Sequence, residues 1–402
     1  MSKTILKTLL AATALSAAFV GGANAGGFAR GNADTDIIYE DGNFNMRSSV
    51  TIVNPTRKYK SNPNPALNGT DYAETYVIPS FAVKLNVVDN FRCAATHVNN
   101  NGGDAKYDAP TISGKIREEF TTYESALTCG VKFNVGKGNF WLLGGGFTER
   151  FNYDRVNDYT ALGLGDATLK LDGSDLGYRI GAAYEIPEIA LRGQVMYRSG
   201  TEYGAEGMLN APAAVLFRAL QAQGVPDSQN PFAQVAAVAP AMKIPVEALG
   251  VGKLPDSVEL KLQTGVAPGW LAFGSVKWTN WKDTTSLDVK SATGVPISSD
   301  KYYWRDGWTI TGGVGHAFTD NISGLVALTY DRGVGTGWDL SSDTWTLSSG
   351  ASFKDSWGGE LRLGGGVTYI TSAEETKYGP GMNATADSGW AIAGNIGYSI
   401  KW

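Results

Sequence analysis

Two histidines, two cysteines and a short acidic stretch are the residues of this 402-residue chain best suited to chemistry, and their spacing supports little of it. A hydrolytic site needs a nucleophile or an activated water, usually with a histidine base. His97 stands beside Asn99-Asn100-Asn101-Gly102-Gly103, which reads as a turn. His316 stands in a strand close to Phe318, and no serine motif accompanies either imidazole. The chain therefore reads as a non-enzyme without a cofactor. No His/Cys/Asp/Glu cluster has metal-ligand spacing, and Asp34, Asp36 and Asp41 lack the frame of a calcium-binding loop. Cys93 and Cys129 alone make no metal site. In an exported chain they are either two unpaired thiols on separate strands or one bridge. Such a bridge closes a loop of 36 residues (129 − 93), worth about 3 to 4 kcal/mol in the chain-entropy account.

What could position such residues is written most plainly at the end of the chain. From Gly389 to Trp402, Trp390, Ile392, Ile396, Tyr398, Ile400 and Trp402 fall on one face, and Ala391, Ala393, Asn395, Ser399 and Lys401 on the other. A period of two that ends on an aromatic residue fits a membrane-barrel strand, one face toward lipid and one toward a lumen. At the opposite end, Lys3 and Lys7 precede an Ala/Leu-rich core that runs to Val20, and Ala23-Asn24-Ala25 offers small residues for cleavage. Residues 1–25 are expected to be a removed signal peptide. No later run of about 18 apolar residues exists, which excludes a helical inner-membrane protein. With 51 Gly, 11 Trp, 18 Tyr and 15 Phe against 18% charged residues, the chain is too aromatic for an ordinary periplasmic enzyme. Its net charge of -5 argues against nucleic acid partners.

Similar alternation recurs at 175–186, 188–206, 257–267, 269–290, 321–332 and 357–371, with short punctuation such as Ala267-Pro268-Gly269 and Thr319-Asp320-Asn321 between runs. Weaker runs toward the N-terminus include 44–59, 76–87 and 90–98. The expected fold is all-β: a transmembrane antiparallel barrel of about 14 strands over 44–402, with the first strand pairing the last. Two segments break the pattern. Residues 26–43, with Asp34, Asp36, Tyr39 and Glu40 as hatch candidates, are polar and Asp-rich: either a flexible leader or a plug in which Asp34, Asp36 and Glu40 hydrogen-bond to lumen bases such as Arg192, Arg198 and Arg362. Residues 209–252 are Ala-rich with apolar residues at helical spacing, and are expected to form a helical extracellular loop. Its candidates for an apolar groove are Leu216, Phe217, Leu220, Phe232, Val235, Val238 and Met242; the alternative is helices that bury these residues on each other. On the strand that begins at Trp270, Leu271 and Phe273 interrupt the polar face of Ser275, Lys277 and Thr279. They form either an apolar lumen patch or the end of a turn.

Lys253-Leu254-Pro255-Asp256-Ser257-Val258-Glu259-Leu260 leads through a hairpin to Trp278-Thr279-Asn280-Trp281, Asp175-Leu176-Gly177-Tyr178 leads to Tyr197-Arg198-Ser199, and Trp304-Arg305-Asp306 opens a further hairpin. These stretches resemble the long-chain fatty acid and aromatic hydrocarbon transporters of Gram-negative outer membranes, the FadL/TodX family. The similarity covers Ser174 to Trp402 well and the N-terminal half loosely. It departs at Tyr39-Glu40-Asp41-Gly42, where the family carries an Asn-Pro motif. The resemblance implies an N-terminal hatch over 26–43, capture on a loop groove, and passive, ligand-gated uptake that ends in lateral exit through the wall. The implied partners are a hydrophobic small molecule, such as a long-chain fatty acid, and outer-membrane lipid around a monomer. A general or polar-solute porin, and a structural or adhesive barrel, are the alternatives.

Overall fold

The computed structural model describes residues 26–292, 294, 296–379 and 381–402; the expected signal peptide lies outside them. In chain order the strands begin with β1 (Phe44–Thr56), β2 (Tyr59–Ser61), β3 (Tyr76–Val88), β4 (Phe91–Lys106), β5 (Lys115–Val135), β6 (Gly138–Asp158) and β7 (Asp166–Ile186). There follow β8 (Leu191–Arg198), β9 (Thr201–Pro212), β10 (Lys243–Leu254), β11 (Ser257–Ala267), β12 (Trp270–Thr279), β13 (Ser286–Ser291) and β14 (Pro296–Lys301). The last are β15 (Gly307–Ala317), β16 (Ile322–Arg332), β17 (Thr344–Lys354), β18 (Gly359–Ile370), β19 (Ala373–Glu374), β20 (Thr385–Ala386) and β21 (Gly389–Lys401). Two helices, α1 (Ala213–Ala222) and α2 (Ala233–Val238), sit between β9 and β10.

Strands β1, β3 to β8, β11, β12, β15 to β18 and β21 close into a ring of 14 antiparallel strands. The seam joins β1 to β21 from Asn45↔Lys401 to Thr56↔Trp390, the pairing expected from the alternation. On β21 the residues Trp390, Ile392, Ile396 and Tyr398 face outward, while Ala391, Asn395 and Ser399 are buried toward the lumen. Two residues suffice to join β3 to β4, β5 to β6 and β11 to β12. Short turns of this kind mark the periplasmic end of outer-membrane barrels. Long insertions gather at the other end. Strands β5, β6 and β7 each run 21 residues, about 70 Å at ~3.3 Å per residue, far more than a bilayer core requires. Their upper halves project as an extracellular wall, which β9, β10, β13 and β14 extend through the β7–β9, β9–β10, β10–β13 and β13–β14 pairings.

Four expectations change in detail. The run 188–206 is two strands, parted at Ser199-Gly200, where a Cβ on Gly200 would meet Leu254 O at 2.6 Å. The run 269–290 leaves the ring after Thr279, and its turn residue Trp281 is buried in the lumen core rather than set in the wall. Helix in the 209–252 loop is limited to α1, α2 and a 3-10 turn at Asp227–Gln229, because the flanking residues pair as β9 and β10 and bury Leu209, Ala211, Ala248 and Leu254 on one face. The stretch 99–103 is no turn. Strand β4 continues through it to Lys106, with a bulge between Asn99 and Asn101. Asn99 Nδ2 donates to Thr122 O at 2.8 Å and Asn101 Nδ2 to Glu149 Oε1 at 3.0 Å, so these side chains are held inward on the wall.

Residues 26–43 run inside the ring, from the extracellular half down to the periplasmic rim, where they enter β1. At the bottom, the 3-10 turn Thr35–Tyr39 buries Ile37, Ile38 and Tyr39 against Trp141, Leu143 and Met196, with room provided by Ala82, Ala94 and Ala183. The carbonyls left open by the turn accept from Arg92 (Ile38 O, 3.0 Å; Glu40 O, 3.1 Å) and Lys84 (Glu40 O, 2.9 Å), which meets the need of buried backbone groups for partners.

Candidate functional site: an aromatic cavity above the N-terminal segment

Higher in the lumen the chemistry changes from ionic to aromatic. Phe120 and Phe151 stand in the lumen-facing phase of β5 and β6, the same phase that carries Thr122, Glu124 and Glu149 lower down. They continue a ring cluster in which Phe151 stacks on Tyr203 at 4.0 Å, Phe120 lies 5.1 Å from Phe151, and Tyr302 stacks on Trp304 at 4.5 Å. Phe28, from the N-terminal segment, enters from below, 4.7 Å from Phe120 and 4.9 Å from Trp304. These rings border a cavity of about 400 Å³. That volume lies in the range of small-molecule sites, and the ring faces offer an apolar occupant surface to pack on, while charged residues such as Arg57, Asp104, Lys115, Glu118, Asp300 and Lys377 share the lining. Polar groups at its edge are largely engaged with protein partners. Arg57 donates to Tyr72, Thr371 O and Leu340 O; Lys115 pairs with Glu118 at 2.5 Å; and the Trp304 indole donates to Asp339. Burial pushes the Asp339 carboxyl above its ordinary value, although the Trp304 hydrogen bond opposes the shift.

Beside this cavity the ring is interrupted. The β3–β4 ladder runs from Val88↔Phe91 to Ser80↔Val98 and stops. Above it Tyr76 to Pro79 pair with β1, and Asn99 to Lys106 pair with β5, so the two strands part. They meet again at the isolated bridge Ala73↔Ala105. The freed edge of β4 is taken up from the lumen by the N-terminal segment: Arg30 N donates to Asn100 O at 2.9 Å, Gly31 N to Asn99 O at 3.1 Å, and Gly102 N to Phe28 O at 2.7 Å. Gly31 is required for this approach, since a Cβ there would stand 2.7 Å from Asn99 O. Backbone groups at membrane depth need internal partners, and these bonds provide them.

The residues expected from sequence fall in several places. Asp34 pairs with Arg47 at 2.6 Å, Asp36 with Lys261 at 3.2 Å, and Glu40 with Arg47, while Arg362 stands 4.0 Å from Glu40. Arg192 lies over the Tyr39 ring at 4.3 Å, and Arg198 turns instead to Glu124 and Glu149. Leu216 is buried in the core beneath the loops, with Phe232 packed against that core. Phe217, Leu220 and Val235 are half-buried, whereas Val238 and Met242 are exposed. The loop residues thus differ in exposure, some set in the core and some open to solvent. Leu271 does face inward, but it is sealed against Ala190 and Phe273 near the β11–β12 turn, away from the aromatic cavity. Cys93 and Cys129, opposed on β4 and β5, are joined as a disulfide with sulfurs 2.08 Å apart. His97 bonds Ser125 at 2.8 Å and His316 bonds Gly269 O at 3.1 Å. The cavity rings themselves escaped the sequence reading. Their signal was present, since Phe120, Phe151 and Tyr153 are aromatic residues standing in the polar phase of their strands.

A closed barrel with long extracellular insertions, a lumen occupied by its own N-terminus and an apolar cavity above it define an outer-membrane channel for hydrophobic compounds. The sequence matches the family model of the outer membrane protein transport proteins (OMPP1/FadL/TodX) over residues 23–332, and the chain belongs to that family. Its fold resembles the crystal structure of a Pseudomonas aeruginosa FadL homologue, with a TM-score of 0.72 and 14% identity over 96% of this chain and 98% of that one. It also resembles the Pseudomonas putida toluene transporter TodX, with a TM-score of 0.63 and 13% identity over 97% and 98% of the two chains. A third likeness is to the Ralstonia pickettii toluene transporter TbuX, with a TM-score of 0.60 and 10% identity over 96% and 97%. No curated protein matches the sequence. The chain is thus a bacterial outer-membrane β-barrel of a family of transport channels for hydrophobic compounds.

Proposed function

We propose that this protein works as a monomer, without enzymatic chemistry, and admits a hydrophobic solute, a long-chain fatty acid, by passive diffusion gated by the solute itself. The observation that carries this reading is the sharing of one set of rings. Phe28 occupies Phe120 and Trp304 from below, so a solute in the cavity and the N-terminal segment compete for the same surface. Entry draws on burial, roughly 0.8 kcal/mol for each CH2 removed from water. Residues 26–43 act as the hatch, and its displacement uncovers the parted edge between β3 and β4, which gives an apolar solute a sideways route into the bilayer. Exposed Val238 and Met242 on the loop support first contact outside.

A second reading is favoured by the lining itself. Phe28, Phe120, Phe151, Tyr203, Tyr302 and Trp304 present flat faces that suit a monoaromatic solute, the compound named for the TodX and TbuX channels. Uptake of labelled oleate and labelled toluene by cells carrying the wild-type chain or Phe151→Glu tests both. Loss of one uptake identifies the solute, and equal uptake by the variant removes the cavity from the route. Steady, large ion-conducting steps in a planar bilayer would instead favour the porin reading. Deleting 213–238 while keeping the paired strands β9 and β10 tests the loop, and unchanged uptake would exclude it from capture.

A further inference from the structure

Resting on the hatch reading, one side chain joins the three parties that such a gate must coordinate. Arg30 is 4% exposed although it lies at the interruption of the wall. Its guanidinium stands 4.2 Å from the centre of the Tyr76 ring on β3, donates to Asp104 Oδ2 at 2.8 Å on β4, and reaches Asn99 Oδ1 at 3.4 Å below the bulge. Gly102 of β4 lies directly against the guanidinium, and a Cβ there would overlap it. A single planar cation therefore touches both strands where they are no longer joined to each other. Only arginine combines a flat face for an aromatic ring with a fork of donors for a carboxylate. Asp104 also borders the aromatic cavity, and its Oδ1 is buried without a hydrogen-bond partner.

We propose that Arg30 is the latch of the interrupted wall: it ties the N-terminal segment to β3 through Tyr76 and to β4 through Asp104, and a solute in the cavity loosens it at its Asp104 end. The proposal assigns a positioning role, because Arg30 acts on the segment and the strands rather than on the solute. Phe28 lies two residues earlier and shares the cavity, so occupancy presses on the segment from both its Phe28 and Asp104 contacts. Losing either charge of a buried pair leaves the other uncompensated, so removal of either partner should loosen the latch.

Hydrogen exchange of the peptide spanning 26–34, and of Gly102, reads the latch without any transport step, because the amides of Arg30, Gly31 and Gly102 carry the docking bonds. In solute-free protein, Asp104→Asn and Arg30→Gln should each speed exchange there by about tenfold, and the double variant should add little to either single change. Arg30→Lys, which keeps the charge but not the fork, should fall between. Heat-modified gel migration of the ring should stay at the wild-type value, since no ring pairing is removed. Wild-type exchange rates in both Asp104→Asn and Arg30→Gln would overturn the latch, as would fully additive effects in the double variant. A separate arm isolates the hatch reading: saturating oleate or toluene should speed the same amides in wild type. Failure of both solutes there strikes the hatch reading, whereas a solute response with unchanged resting rates in the variants strikes the latch alone.

Discussion

Two cavities of similar size, each about 400 Å³, lie at opposite ends of the lumen, both with charged residues in the lining but only the upper one with a cluster of aromatic rings. The extracellular one is bordered by aromatic rings. The periplasmic one is bordered by Tyr39, Glu40, Arg47, Arg192, Lys354 and Arg362, and the N-terminal segment is tied there by ion pairs. An apolar solute gains by entering the first, whereas entry into the second would strip water from charges for no return. Affinity is thus concentrated where the segment is held by ring contacts, and the anchorage where it is held by ions. A path straight down the axis is chemically poor, which is in keeping with the sideways route proposed above between β3 and β4.

The contrast is broken most forcefully from below. Arg47→Ala removes the partner of both Asp34 and Glu40, and should loosen residues 26–43 by about 3 to 5 kcal/mol, seen as protease cleavage in that segment and as ion leak. An intact, non-leaking segment in that variant would mean that the upper ring contacts carry the anchorage. Next in size is reduction of the Cys93–Cys129 bridge. It should lower barrel stability by about 3 to 4 kcal/mol in denaturant titration while leaving solute affinity unchanged, since both residues lie on the outer face. Trp304→Ala should weaken solute binding by about tenfold in Kd, ~1.4 kcal/mol, with no added leak, as followed by fluorescence quenching. A change in leak without a change in Kd would reverse the roles given to the two ends. The smallest effect is on pH. Because the folded Asp339 carboxyl titrates above its unfolded value, the native state binds more protons, so the cap around Trp304 should firm as pH falls toward the ordinary carboxylate range and soften as it rises. Asp339→Asn should flatten that dependence of Trp304 fluorescence.

The ring was legible because lipid and lumen impose opposite demands on successive residues, and Trp390, Ile392 and Ile396 meet them without ambiguity. The seam partner followed from the same alternation. Less legible were places where the demand is local. Helix was expected too widely over 209–252 because its Ala-rich composition hid the strand pairing at both ends, where Leu209, Ala211 and Ala248 are buried on one face of β9 and β10. Asn99 to Gly103 looked like a turn, since amides and glycines favour turns, yet Thr122 and Glu149 on neighbouring strands recruit those amides inward. The cavity joins residues from β5 and β6, the N-terminal segment and the loops near 300 and 338, and no single window of sequence holds that combination. Its one local trace, aromatic residues in a polar phase, would have sufficed to suspect it.

The seam also sets what the chain needs before its ring can close. Val50 and Ile396, directly paired across it, are 346 residues apart (396 − 50), so the ring closes through contacts about as distant in the chain as the barrel contains. Until β21 is in place, β1 and whichever strand was added last each present an open row of backbone donors and acceptors, ready to pair with a second copy. The final thirteen-residue strand is therefore also the safeguard of assembly: a chain cut short before Gly389 keeps both edges open and should be recovered as aggregate rather than as a smaller barrel.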